Sequence, residues 1–367
     1  MKNKKAIIVI IAALVVIATA LLIWQPWKKV ETEPEGAVKI GISMPTKELQ
    51  RWNQDGENME KLFKEAGFEV DLQFASNDAA VQSEQIESMI DTGCKIVVIA
   101  AAEGTSLGTA LDKAAEKGVK VIAYDRLLMD SENVDFYATF DNYKVGVVQG
   151  TYVKNALDLD NADGPFIIEF TAGDPGDNNA GFFFNGAMSV LKPYINDGKV
   201  IVKSGQIAFE DAATANWKAE VAQSRAESIL SSYYTDGSDI DAWVCSNDST
   251  ALGVINALES NYTGKWPIIT GQDCDVSNTN YIIDGKQSMS VFKDTRTLAA
   301  QVVKMVGQIL NNELVEVNDR ETYNNGVKTI PSFLCEPILT TADNYKELLI
   351  KSDYYIETED GHVAEKQ

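Results

Sequence analysis

The sequence predicts an α/β protein built as two doubly wound, parallel-sheet lobes, and three observations carry this. From residue 37 onward, apolar runs of strand length alternate with amphipathic runs of helix length, as repeated βαβ units require. The central apolar runs are nearly continuous, as expected when helices cover both faces of a sheet. The rhythm then restarts near residue 165, so the chain holds two such sets. At 367 residues it is also too long for one ordinary core.

The elements follow in order. Lys2, Lys4 and Lys5 precede an unbroken apolar run over residues 6–24, and Trp27, Lys28 and Lys29 follow it. A cationic flank, a span of membrane-crossing length and interfacial tryptophans predict an N-terminal membrane anchor helix. A cleaved signal peptide, cut after Ala18-Thr19-Ala20, remains the alternative. Either way the body is exported, to the outer face of the cytoplasmic membrane if anchored, or as a periplasmic or secreted protein if cleaved. Residues 30–36 read as a polar linker. Strands are expected at 38–44, 69–76, 95–101, 120–125 and 135–141. Helices at 79–93 and 105–118 each end in glycine, the preferred left-handed terminator. In the second set, strands at 165–172, 199–208, 241–246 and 267–272 alternate with helices beginning near Asn179, Ala215 and Thr250. A strand at 288–293 leads into a helix at 295–310.

Composition removes several classes of function. The net charge is −22, from 32 basic against 54 acidic residues, and such a surface repels phosphate backbones, so no nucleic-acid partner is expected. The single histidine, His362, lies in a polar C-terminal tail, so no metal site, cofactor or His-based catalytic residue is expected. Cys94, Cys245, Cys274 and Cys335 each sit in or beside an apolar run and read as buried free thiols, with a Cys245–Cys274 disulfide as the alternative.

Several strands end in polar residues: Asp125-Arg126, Asp141-Asn142, Asn247-Asp248, Gln272-Asp273 and Lys293-Asp294. Any one of these also reads as a helix N-cap. Five of them, drawn from both halves, point to a cleft, because ligands bind beyond the carboxyl ends of such strands.

The motifs GISMPTKELQRW (41–52), IAYDRL (122–127), FYATFDNYKVGVVQG (136–150), DNNA (177–180), CSND (245–248), TGQDCD (270–275) and SVFKDTR (290–296) carry a resemblance. The chain resembles the sugar-binding proteins of ABC transporters with the type I periplasmic-binding-protein fold, in the branch of xylose-binding and multiple-monosaccharide-binding receptors. The resemblance implies a three-crossing hinge and closure on one sugar of the xylose, glucose or galactose class. It implies sugar contacts from Arg51, Trp52, Asp125, Arg126, Asn178, Trp217, Asn247, Asp273 and Lys293. Hinge positions would be Asp141, Asn142, Asp294, Asn325 and Gly326. The N-terminal lobe would then comprise residues 37–141 and 294–325, the C-terminal lobe 142–293 and 326–357, and a polar tail 358–367.

The physical logic runs parallel. Asp, Asn and Arg can each bridge two adjacent hydroxyls of a pyranose, and Trp52 offers an aromatic face to its C–H side, unless it simply packs in the core. The implied partners are a monosaccharide, the permease subunits of an ABC transporter and, through the anchor, a membrane, with the receptor a monomer. A sugar sensor signalling to a membrane kinase or chemoreceptor needs the same cleft and is the alternative. A repressor would need a DNA-binding N-terminus where this chain has the apolar run. Asp125 and Asp273 could serve as glycosidase carboxylates, but no enzyme motif accompanies them. The anchor and Cys274 depart from the family pattern.

Overall fold

The computed structural model describes residues 37–366. In the first half, strands β1 (Lys39–Met44), β2 (Glu69–Phe74), β3 (Ile96–Ile99), β4 (Lys120–Tyr124) and β5 (Phe136–Phe140) join helices α1 (Gln50–Glu65), α2 (Ala79–Asp91) and α3 (Gly108–Glu116). The strands pair in parallel, in the order β2-β1-β3-β4-β5. The apolar runs are continuous because both faces are covered: Ile96 and Val98 enter one core layer, Val97 and Ile99 the other.

In the second half come α4 (Asn142–Ala156), β6 (Phe166–Thr171), α5 (Asn178–Asn196), β7 (Val200–Ile201), the single-turn α6 (Phe209–Ala212), α7 (Ala219–Tyr233), β8 (Ala242–Cys245), α8 (Asp248–Asn261), β9 (Ile268–Ile269) and α9 (Val276–Ile283). The strands form a parallel sheet, β7-β6-β8-β9. Helices α4 and α5 cross closely enough to require glycine. A Cβ on Gly146 would lie 1.9 Å from the Phe183 carbonyl oxygen, and one on Gly186 would lie 2.1 Å from that of Tyr143. Both lobes belong to one compact unit beginning at Val38.

Several expectations are corrected. The strand expected at 199–208 is two residues long, because the chain turns at Gly205 in a left-handed conformation (φ +70°) and enters α6. Strand β10 (Ser290–Phe292) joins neither parallel sheet. It pairs antiparallel with β12 (Ile338–Thr340), so two chain crossings run side by side. Helix α10 (Thr295–Leu310) returns to the first lobe and contributes Leu298, Val302 and Met305 to the core it shares with α1.

Strand β11 (Ser332–Cys335) is the sixth strand of the first sheet, parallel to β5. The N-terminal lobe therefore extends through Cys335, and the third crossing follows it rather than residue 325. Asn325 and Gly326 are not at a crossing. The Asn325 amide donates to the carbonyls of Leu128 (3.1 Å) and Ser131 (2.8 Å), within the first lobe. The other two crossings fall at Asp141-Asn142 and Lys293-Asp294, and Asp141 N–H donates to the Cys335 carbonyl (3.0 Å), which brings the first and third together.

The expected polar tail is instead a hairpin, β13 (Tyr355–Glu357) with β14 (Val363–Glu365). Val363 is buried in a cluster with Cys274, Phe292 and Tyr355. His362 faces Asp284 (3.0 Å) and Asp360 (3.1 Å) on the surface. All four cysteines are buried and free. Among the described residues no helix is long and apolar enough to cross a membrane, and the run at 6–24 lies outside the described residues.

Candidate functional site

The strand ends of the two lobes face each other across a narrow, polar-walled cavity. Of the nine residues expected to contact a ligand, eight line it: Arg51, Trp52, Asp125, Arg126, Trp217, Asn247, Asp273 and Lys293. Asn178 does not. It is half-buried in the first turn of α5, and its neighbour Asp177, the N-cap, takes the place in the wall. Side chains at a helix start turn by about 100° per residue, so a one-residue offset changes which of them faces the cavity.

The Asp125-Arg126 pair after β4 caps nothing, for no helix follows it before β5. Asp125 sits in the left-handed region (φ +54°). Its carbonyl accepts from the Tyr137 and Thr139 hydroxyls and the Asn179 amide, which holds the turn. Asp273 (φ +97°) and Trp217 (φ +58°) are left-handed too. Such conformations cost a non-glycine residue about 1–3 kcal/mol, and here they occur where side chains must be aimed into the cleft. Other polar strand ends are caps: Asp141 accepts from Lys144 N–H and Asp294 from Arg296 N–H. Asn247 is both, since it caps α8 through Thr250 N–H (2.9 Å) and lines the cavity.

Arg51 is the hub. Its Nε and Nη2 donate to Asp55 Oδ2 at 3.0 and 2.8 Å, Nη2 pairs with Asp125 Oδ2 at 3.0 Å, and Nη1 donates to Asp273 Oδ1 at 3.3 Å. The last contact joins the two lobes. Lys293 Nζ reaches Asp273 Oδ1 at 3.0 Å and Asp125 Oδ2 at 3.9 Å. Arg126 pairs through Nε with Asp177 Oδ2 (3.1 Å) and donates through Nη1 to the Ala101 carbonyl (3.0 Å). Trp217 Nε1 donates to the same Asp177 oxygen (3.2 Å). Its ring rests on Gly173, where a Cβ would come within 1.9 Å of it. Trp52 belongs to the first core and also walls the cavity. Both guanidiniums lie over its ring, Arg51 at 4.5 Å and Arg126 at 5.1 Å from the centroid, so the ring supports the arginines by cation–π attraction.

The walls carry three cations and three carboxylates: Arg51, Arg126 and Lys293 against Asp125, Asp177 and Asp273. Burial works against ionisation of Asp125, but Arg51, Lys293 and Arg126 outweigh it and hold the carboxyl below its ordinary value. At Asp177 burial outweighs Arg126 and the carboxyl is raised. Burial also dominates at Asp55, behind the wall, and pushes it up to about 6 against the pull of Arg51. A cavity so balanced suits a neutral, polar guest. Among the described residues, no acidic, histidine or cysteine cluster is arranged to hold a metal.

Residues 40–314 match the family model described as a periplasmic binding protein domain. The chain belongs to this family. Among similar proteins is the multiple sugar-binding periplasmic receptor ChvE of Rhizobium radiobacter, 46% identical, the match covering 86% of this chain and 90% of that one. The D-xylose-binding periplasmic protein of Escherichia coli is 35% identical over 88% of this chain and 92% of its own length. A solved ABC transporter solute binding protein from Clostridium phytofermentans, with bound β-D-glucose, matches with a TM-score of 0.86 and 61% identity. That match covers 88% of this chain and 99% of that one.

Sequence reasoning did not reach four residues of this periplasmic binding protein's site. Asp177 adjoins Asn178, and Leu49 lies two residues before Arg51. Phe183 lies six residues beyond Asp177, in the second turn of α5. Asp55 follows Arg51 by four positions on α1, and that i, i+4 spacing of opposite charges is the signal that could have found it.

Proposed function

We propose that this periplasmic binding protein is an extracytoplasmic receptor for a monosaccharide of the xylose, glucose or galactose class, delivering it to the permease of an ABC transporter. One observation carries the reading. Four cavity-lining residues hold buried polar atoms without a hydrogen-bond partner: Trp52 Nε1, Asp125 Oδ2, Arg126 Nε and Gln272 Oε1. Two are donors and two acceptors, though Asp125 and Arg126 lie at ion-pair distance from charged partners without hydrogen-bond alignment. Unsatisfied buried polar atoms are rare, and a guest whose groups both donate and accept would satisfy this set. Hydroxyls do so. The similarity to sugar receptors supports the same ligand class.

Mechanism follows from placement. Arg51, Trp52, Asp125 and Arg126 come from the first lobe, and Asp177, Trp217, Asn247, Gln272 and Asp273 from the second. A sugar held by both sets binds the closed form better than the open one and shifts the hinge equilibrium toward closure. Flexing is assigned to Asp141-Asn142, Lys293-Asp294 and the residues after Cys335. The closed surface of a monomeric receptor is what the permease reads, and the run at 6–24 retains the protein at the membrane.

Calorimetric titration of the purified protein with xylose, glucose, galactose, arabinose and ribose tests the reading. One-to-one binding of at least one sugar, lost in Arg126→Ala, is expected. Absence of heat with every monosaccharide would overturn it.

A further inference from the structure

The residue before Asp273 has an asymmetric amide. Gln272 is 1% exposed and lines the cavity. Its Nε2 donates to the Ser246 carbonyl at 3.0 Å. Its Oε1 is buried and has no partner. The amide cannot be turned over, because a backbone carbonyl only accepts, and the reverse orientation would set oxygen against oxygen. The frame around it is rigid. Asp248 N–H donates to the Gln272 carbonyl (2.9 Å), and buried Gln149 ties three carbonyls together through Nε2: Cys245 (3.2 Å), Ser246 (3.1 Å) and Gly271 (3.0 Å). The ends of β8 and β9 are thereby locked side by side, with Gln272 between them and the cavity.

The nearby cationic donors are engaged elsewhere. Arg51 is spent on Asp55, Asp125 and Asp273, Lys293 on Asp273, and Arg126 Nη1 on Ala101 and Ala102, while Arg126 Nε lies at ion-pair distance from Asp177. No protein donor hydrogen-bonds the acceptor at Gln272, which leaves it open to the guest. We propose that Gln272 Oε1 is a selectivity element that accepts a hydrogen bond from one particular hydroxyl of the bound monosaccharide. Sugars lacking a donor at that position, whether deoxygenated, fluorinated or O-methylated there, are rejected. The inference rests on the monosaccharide reading and adds a contact role that neither motif spacing nor charge pairing suggested. Its energetic basis is the asymmetry of buried hydrogen bonding, in which a missing partner leaves the acceptor desolvated and unpaired.

The test is a set of double-mutant cycles by calorimetry. Wild type and Gln272→Met are titrated with the best-binding aldose, D-glucose being the first used, and with each of its monodeoxy analogues. Methionine keeps the length and volume of the side chain, and Ser246 keeps the Gln149 amide as a donor, so the fold has no new unpaired carbonyl. Wild type is expected to lose about ten- to hundredfold in affinity at the critical position. In the variant that one penalty should shrink at least fivefold, while penalties at the other hydroxyls stay as they were. A residue that merely packs would weaken every sugar alike. Uniform penalties in wild type and variant at all positions would therefore overturn the assignment while leaving sugar binding intact. Failure of wild type to bind any monosaccharide would overturn both readings. Should Gln272→Met not fold, Gln272→Asn, which draws the oxygen back by one methylene, enters the same cycle with the same two outcomes.

Discussion

Replacing Asp55 by asparagine should make the protein more stable at neutral pH and worse at holding sugar. Asp55 is fully buried and accepts two hydrogen bonds from Arg51 and one from the Tyr124 hydroxyl. Even so, burial raises its carboxyl from 3.8 to about 6. At about 1.4 kcal/mol per unit, keeping the group ionised at pH 7 costs the folded state about 3 kcal/mol relative to an unshifted carboxyl. The sign follows from linkage. The folded protein binds this proton more tightly than the unfolded chain does. The Asp55 contribution to stability therefore falls as pH rises from about 4 to about 6, and is level above. Asparagine removes the cost but weakens the charge-assisted bonds to Arg51, which retains Asp125 and Asp273 as partners. A net gain of about 1–3 kcal/mol at pH 7.5, vanishing near pH 4, is expected from urea denaturation of the sugar-free protein. The difference between variant and wild type isolates Asp55 from other carboxyls titrating in the same window. Sugar affinity should fall, since Arg51 loses the carboxylate that orients it. A variant less stable at pH 7.5, or a difference that does not change with pH, would show that the Arg51–Asp55 attraction outweighs desolvation.

Two further perturbations probe the cleft. Gly173→Ala places a methyl 1.9 Å from the Trp217 ring, so the ring must leave its seat. Titration should show affinity down at least about tenfold, with a shift in tryptophan emission, and unchanged affinity would mean the ring does not form the sugar wall. Gln50 bridges the lobes, as its Nε2 donates to Tyr355 Oη (2.9 Å) and its Oε1 accepts from Val276 N–H (3.0 Å). At about 1 kcal/mol per bond, Gln50→Ala, which removes both, should speed sugar release roughly thirtyfold in stopped flow, and Tyr355→Phe, which removes one of them, roughly fivefold, neither slowing association. Equal release rates would remove the latch from the closed state.

Continuous apolar runs and their restart near residue 165 were sufficient to define two wound lobes, because strand and helix periods are local properties of the chain. The polar strand ends placed Asp125, Arg126, Asn247, Asp273 and Lys293 in the wall for a related reason: a strand's carboxyl end delivers whatever follows it to the cleft; Arg51, Trp52 and Trp217 came only from the family resemblance of the motifs. Contacts formed between distant segments were not legible in this way. Asp273 meets Arg51 across 222 positions of sequence, and β11 is recognisable only by the free edge of β5 that it covers. Only the folded chain decided that Asp177 rather than Asn178 enters the wall, since that turns on a single helical step. It alone left Gln272 with its nitrogen engaged and its oxygen unpaired, because hydrogen-bond satisfaction belongs to the assembled packing and has no period along the sequence.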